Sequence, residues 1–371
     1  MNRLLRPLFA TCALALPASL PVHATRLPFT PPDDSAVVAR LRPGGTGAAE
    51  RQFRAARAAL SASPTNLALA LDVTRQAIRR ARAEGDPRPL GHALTALGPW
   101  WTLSAPPVEI LVLRATIRQS LHDFPAALAD LNAAVARDPR HAAAWLTKAT
   151  VHTVRGEVSE ARAAAARLVM LADPLTAAVA VAQVAALDGQ TAKAIPQLLR
   201  ALERTPVTVT SPPEQREAAV WAGTVVAELL ARSGRPAEAE KQFQTALHLA
   251  PGDPYLLGAW TDFLLDHQRA AEVLPLLREH AHVDALLLRF AEAQRAVSAG
   301  SEAASVAQLR ARFDLARLRG DRLHLREEAR FHLRLLGDFA TARRLAEENW
   351  IIQKEPADAR LLAETEPESA P

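Results

Sequence analysis

Three side chains with metal-binding chemistry recur at four-residue intervals near the end of the chain: His324, Glu328 and His332. On a helix that spacing puts two imidazoles and a carboxylate on one face, a donor set suited to zinc or another divalent cation. The outer two residues would then stand about 12 Å apart, too far to share one ion without a bend. A solvated face with ordinary ion pairs, helped by Arg326 and Arg330, competes with the metal site and is preferred. His280 and His282 read more simply as charge partners for a helix end.

Other chemistry is sparse. Gly44-Gly45-Thr46-Gly47 runs into Ala48, Ala49 and Glu50, without the lysine that would reach a phosphate. Neither a G-x-S-x-G elbow nor an H-E-x-x-H helix occurs. No catalytic residue, metal or cofactor is expected. Trp100, Trp101, Trp145, Trp260 and Trp350 could stack on sugars or bases, but their places in apolar patterns favour core packing. The single cysteine, Cys12, lies in an N-terminal apolar segment, so its removal would exclude disulfides and thiolate chemistry together.

The elements that would position these groups are helical. Hydrophobic residues make up 49% of the 371, yet aromatics only 5%, and Ala and Leu dominate the apolar content. That composition suits closely packed helices, and no alternating run marks a strand. Lys and Arg number 44 against 40 Asp and Glu, a near balance with the signs interleaved, which argues against a nucleic-acid face.

A period runs along the chain. Residues 108–141 read VEILVLRATIRQSLHDFPAALADLNAAVARDPRH, two helical patterns joined at His122-Asp123 and stopped at Asp138-Pro139. The next block carries Trp145, Ala149, Gly156 and Ala161; the one after it Ala182, Gly189, Ala194, Leu198, Ala201 and Pro206. A fourth gives Ala227, Gly234, Ala239, Phe243, Ala246 and Pro251. Small residues let neighbouring helices approach, Gly allows a left-handed helix end, and Pro stops the second helix.

This pattern resembles the tetratricopeptide repeat over residues 108–253, with an insertion at 207–219. Arg118, His152 and Leu230 stand where that repeat usually has Tyr. The resemblance implies an all-α fold, a right-handed superhelical solenoid of antiparallel helix pairs. Weaker copies flank it at 48–107 and 254–356, followed by a capping helix and disordered tail over 357–371. It further implies an inner face lined by the first helix of each pair. Carried onto this sequence, that face receives Glu109, Thr116, Gln119, Thr150, Thr153, Gln183, Trp221, Glu228, Arg232, Tyr255, Asp262 and Asp266. Its first half is neutral and rich in hydroxyls; its second is acidic, with two aromatics. An extended peptide with an apolar or basic anchor near Trp221 and Tyr255 would suit it. The clamp that some members use on acidic C-termini is absent, since Val112, Thr116, Leu146 and Thr150 replace its Lys and Asn.

Arg3 and Arg6, an apolar core over 8–20 and the small residues of Val22-His23-Ala24 read as a signal peptide over 1–24, cut after Ala24. A lipid anchor at Cys12 is the alternative, though the apolar core continues past it. Residues 25–47 form an extended leader. The expected role is a non-catalytic adaptor in the bacterial envelope, periplasmic or secreted, that binds a protein or peptide without nucleic acid or a membrane span. A structural subunit of an export or polysaccharide-secretion assembly is the alternative, and a metal-binding periplasmic protein a third.

Overall fold

The computed structural model describes Asp33 and residues 47–366. The signal peptide, Cys12, the leader apart from Asp33 and Gly47, and the tail from 367 lie outside the described residues. Every regular element among the described residues is a helix.

The first elements are α1 (Ala48–Ala62), α2 (Leu67–Glu84), α3 (Leu90–Ala96) and the single turn α4 (Gly98–Trp101). Antiparallel pairs follow: α5 (Val108–Ser120) with α6 (Phe124–Arg137), and α7 (Ala142–Val154) with α8 (Val158–Leu171). Next come α9 (Pro174–Leu187) with α10 (Thr191–Arg204), and α11 (Pro213–Arg232) with α12 (Pro236–Leu249). The later pairs are α13 (Pro254–Asp266) with α14 (Ala270–Leu277), and α15 (Asp284–Val297) with α16 (Ala303–Leu318). The last are α17 (Leu325–Phe331) with α18 (Phe339–Ile352), and a closing helix α19 (Pro356–Glu364). The insertion expected at 207–219 begins as a loop in which the Thr208 N–H donates to Ser211, then enters α11 at Pro213.

Local chemistry explains the boundaries. Asp123, Asp173, Asp253 and Asp338 each accept a backbone N–H from the first turn of the helix they start, satisfying donors the helix itself leaves open. The small residues of the repeat pattern do what the spacing predicts. Ala115, Ala127, Ala134, Ala149, Ala161, Ala182, Ala194, Ala227, Ala239 and Ala246 are all 2% exposed or less. Larger groups fill the spaces between pairs, with Leu198, Phe243, Trp260 and Phe263 in the main core and Phe124 and Leu131 in a smaller one earlier in the chain.

Each first helix touches the first helix of the next pair, from α2 and α5 through α17 and α19. The coil also returns on itself. The end of α2 lies against α13, where a β-carbon on Gly85 would come within 2.8 Å of Val283 Cγ1 and 3.2 Å of Pro254. Further along, the Lys354 N–H donates to the Val154 carbonyl at 2.7 Å, and the Gln353 amide meets His122 Nδ1 at 3.3 Å. Ile352 packs beside it on the core of α5–α7. These contacts form a seam that joins parts of the chain distant in sequence.

Candidate partner-binding channel

Side chains from α11, α13, α15, α17 and α19 meet one another, so the first helices of these pairs share one interior. The Tyr255 hydroxyl donates to Glu228 at 2.7 Å, tying α13 to α11. Asp262 receives the Arg289 guanidinium and lies 2.7 Å from Arg330, which also makes a two-bond fork with Glu292. Asp266 takes both ends of the Arg360 fork, at 2.5 and 2.7 Å. Arg326 reaches Glu355 and Asp358, and Arg334 reaches Glu364. Opposite charges thus interlock across a small cavity of roughly 100 Å³.

The electrostatics follow from this crowding. Burial by itself would raise the Asp262 carboxyl, but Arg289 and Arg330 hold it far below the ordinary aspartate range. Glu228 goes the other way: burial pushes it up, and the Tyr255 hydrogen bond only partly offsets that. Tyr255 is raised well above its usual value by confinement and by the neighbouring Glu228 carboxylate, although half of its surface stays open.

The twelve inner-face candidates therefore fall into different states. Thr116 is 8% exposed, with its hydroxyl donating to the Val112 carbonyl, so little of it faces a ligand. Thr150 makes the same back-bond to Leu146 and is half-buried. Glu109 and Arg232 are exposed at opposite ends of their helices. Trp221 is half-buried, with one side packed on the main core. Gln119, Thr153 and Gln183 are half-buried as well. The amides of Gln119 and Gln183 keep their hydrogen-bonding capacity free of protein partners among the described residues. Glu228, Tyr255, Asp262 and Asp266 are taken up in the internal network.

His324, Glu328 and His332 do not converge. Glu328 is buried against Arg317 at 3.3 Å, and burial raises its carboxyl. His332 turns to Asp338 at 3.1 Å, while His324 starts α17 and couples with Glu327. No group of three or more His, Cys, Asp or Glu is placed to hold a metal among the described residues.

Two features escaped sequence reasoning. The first is a buried ion pair in which Arg114 forks onto Asp130 at 2.6 and 2.8 Å and also donates to the Trp101 carbonyl. Arg118 joins Asp130 and lies over the Trp101 ring. The signal available was an arginine inside an otherwise apolar helix pattern. The second is the inward arginine row Arg326, Arg330 and Arg334, whose four-residue spacing marks a shared face without saying which way it points.

Residues 112–175 and 182–254 match the family model described as Tetratricopeptide repeat. Among solved structures, one similar chain belongs to the crystal structure of the APC/C hetero-tetramer Cut9-Hcn1, at 17% identity and a TM-score of 0.45. That match covers 85% of this chain and 59% of the other, so this chain spans less than two thirds of its length. A tetratricopeptide repeat protein from Parabacteroides merdae ATCC 43184 is similar at 16% identity and a TM-score of 0.43, covering 71% of this chain and 91% of that one. No curated protein matches the sequence.

Proposed function

We infer, from a chain whose central helix pairs are tetratricopeptide repeats, that its work is to hold another protein. Such repeats are interaction modules and generally non-catalytic. The finer reading is an adaptor of the bacterial envelope, exported by the signal peptide at residues 1–24, that binds an extended segment along the first half of its inner face. The observation that carries this is the contrast between the two halves. Among the described residues the amides of Gln119 and Gln183 have no protein partner, whereas Asp262 and Asp266 are paired with the protein's own arginines. A bound peptide could take up the free amides directly, but would have to displace ion pairs to use the acidic half.

Photo-crosslinking groups placed at Gln119 and Gln183 test this. They should trap one defined protein in living cells, while a group at Glu160 on the outer helix α8 should not. Adducts from the outer position alone would instead support a structural subunit. One observation favours that second reading: Val169 and Met170 at the end of α8 are 60% and 85% exposed. No helix among the described residues is long and apolar enough to cross a membrane. Export is tested by fractionating the full chain and sequencing its N-terminus, which should begin at Thr25; retention in the cytosol would refute it.

A further inference from the structure

We propose that the segment from Gln353 to Glu364 is an internal ligand of the channel, which closes the coil and leaves when an acidic peptide of the same pattern takes its place. The segment crosses the interior instead of only covering the last helix pair. It begins at the seam, where Lys354 bonds the end of α7 through Val154 and Gln353 meets His122 after α5. Glu355 lies near enough to Glu228 and Tyr255 to influence both electrostatically. At its far end Arg360 forks onto Asp266 at the end of α13. One short stretch therefore bridges three separate pairs of the solenoid.

Its anchoring is mostly ionic. Asp358 is 2% exposed, receives Arg326 and the Asn349 amide, and accepts the Glu355 N–H in a capping box. Glu355 pairs with the same Arg326, and Glu364 with Arg334. Leu361 supplies the buried apolar contact, against Leu325, Ala329, Leu345 and Ala346. Nine residues are too few to hold a helix without such docking. Exposed ion pairs such as Arg360 with Asp266 are screened by salt, so the segment is suited to local release while the repeats stay folded.

The contacts also define the ligand. Arg326 takes carboxylates three residues apart, Asp266 takes a cation two residues later, and the Val154 carbonyl takes a backbone N–H just before them. A partner that competes must present acids at i and i+3 and a basic residue at i+5. This inference stands on contacts of its own, so a failed crosslink at Gln119 or Gln183 leaves it intact.

The test uses the full chain and a labelled synthetic peptide of residues 352–366. In wild-type protein, amide exchange over 354–364 should rise when salt is raised from about 0.05 to 0.5 M, with exchange in α5–α13 unchanged. The D358A/L361A variant should expose the same residues at low salt and bind the peptide about tenfold or more tighter than wild type does. Adding R326A should abolish that binding. If the double variant fails to fold, K354P serves instead, read against K354A: proline removes the N–H given to Val154 and follows the extended backbone of Gln353, and alanine controls for the lost side chain beside Gly156. Exchange over 354–364 that moves only together with the whole coil would overturn the proposal, as would a released segment whose site ignores the peptide.

Discussion

Replacing Gly85 with Ala separates two costs that glycine avoids at the seam. Its φ is +59°, a left-handed conformation that closes α2 with the Gly85 N–H given to Arg82 and the Asp86 N–H given to Ala81. A β-carbon in that conformation costs about 1–2 kcal/mol, and the stiffer unfolded chain returns about 0.4–1. Gly189 has nearly the same φ, +71°, but no atom within 4 Å of the position its β-carbon would take. Gly189→Ala should therefore cost about 1 kcal/mol. At Gly85 the added carbon meets Val283 at 2.8 Å and Pro254 at 3.2 Å, so packed atoms on two other helices must move. Overpacking of that kind adds about 1–3 kcal/mol. Repeat arrays need not unfold in one step, so a global transition would blur the comparison. Hydrogen exchange read separately over α2 and α15 resolves it. Gly85→Ala should lower protection at the start of α15, and Gly189→Ala should leave α15 alone. Equal effects at the two sites would mean that α2 and Val283 are not packed together in solution, and the closed coil would have to be abandoned.

Three further changes probe other parts. Asp130→Ala leaves Arg114 buried without its carboxylate and should lower the opening free energy of α5–α6 by about 3–5 kcal/mol, measured by hydrogen exchange over those helices; a loss below 1 would show that the pair is solvated. Gln268 adopts φ +59° at the turn between α13 and α14, where other pairs place glycine, so Gln268→Gly should stabilise that pair by about 1 kcal/mol, measured in the same way over α13 and α14. Glu228, raised by burial in the folded state, disfavours folding once the pH exceeds the value of the unfolded carboxyl, and has no such effect below it. Glu228→Gln keeps an acceptor for Tyr255 and removes the charge. The variant should match wild type in acid and gain stability as the pH rises through the glutamate range. A pH-independent difference would assign the effect to packing.

How much of this was visible in the sequence depended on whether a contact is local. The alanines at 115, 127, 149, 182 and 239, and the glycines at 189, 234 and 337, act within one pair or between neighbours, so period and residue size were enough to place them. The glycines carry positive φ at the turns, as the left-handed helix ends require. His122 shows the limit of that reading. It occupies a turn at φ +59° without being glycine, and it also stacks on Phe124 and meets Gln353. The stacking is local and the meeting with Gln353 is not, since no pattern near residue 122 records what lies more than two hundred residues later.

The same distinction accounts for the inner face. Repeat register places Thr116, Tyr255 and Asp262 on the first helices, but whether such a position meets solvent depends on how tightly the coil closes. Closure is set at Gly85 and Gly156, where there is no β-carbon to hold Val283 and Lys354 away. Once the coil is closed, the acids of α13 lose part of their water, and a carboxylate partly stripped of water is favoured by a cation beside it. The arginines of α15, α17 and α19 answer that need: Arg289 and Arg330 at Asp262, and Arg360 at Asp266. The acidic half of the groove and the row Arg326, Arg330 and Arg334 are thus two sides of one interior. Either side alone reads as an exposed charged surface, and only the seam between distant repeats turns them toward each other.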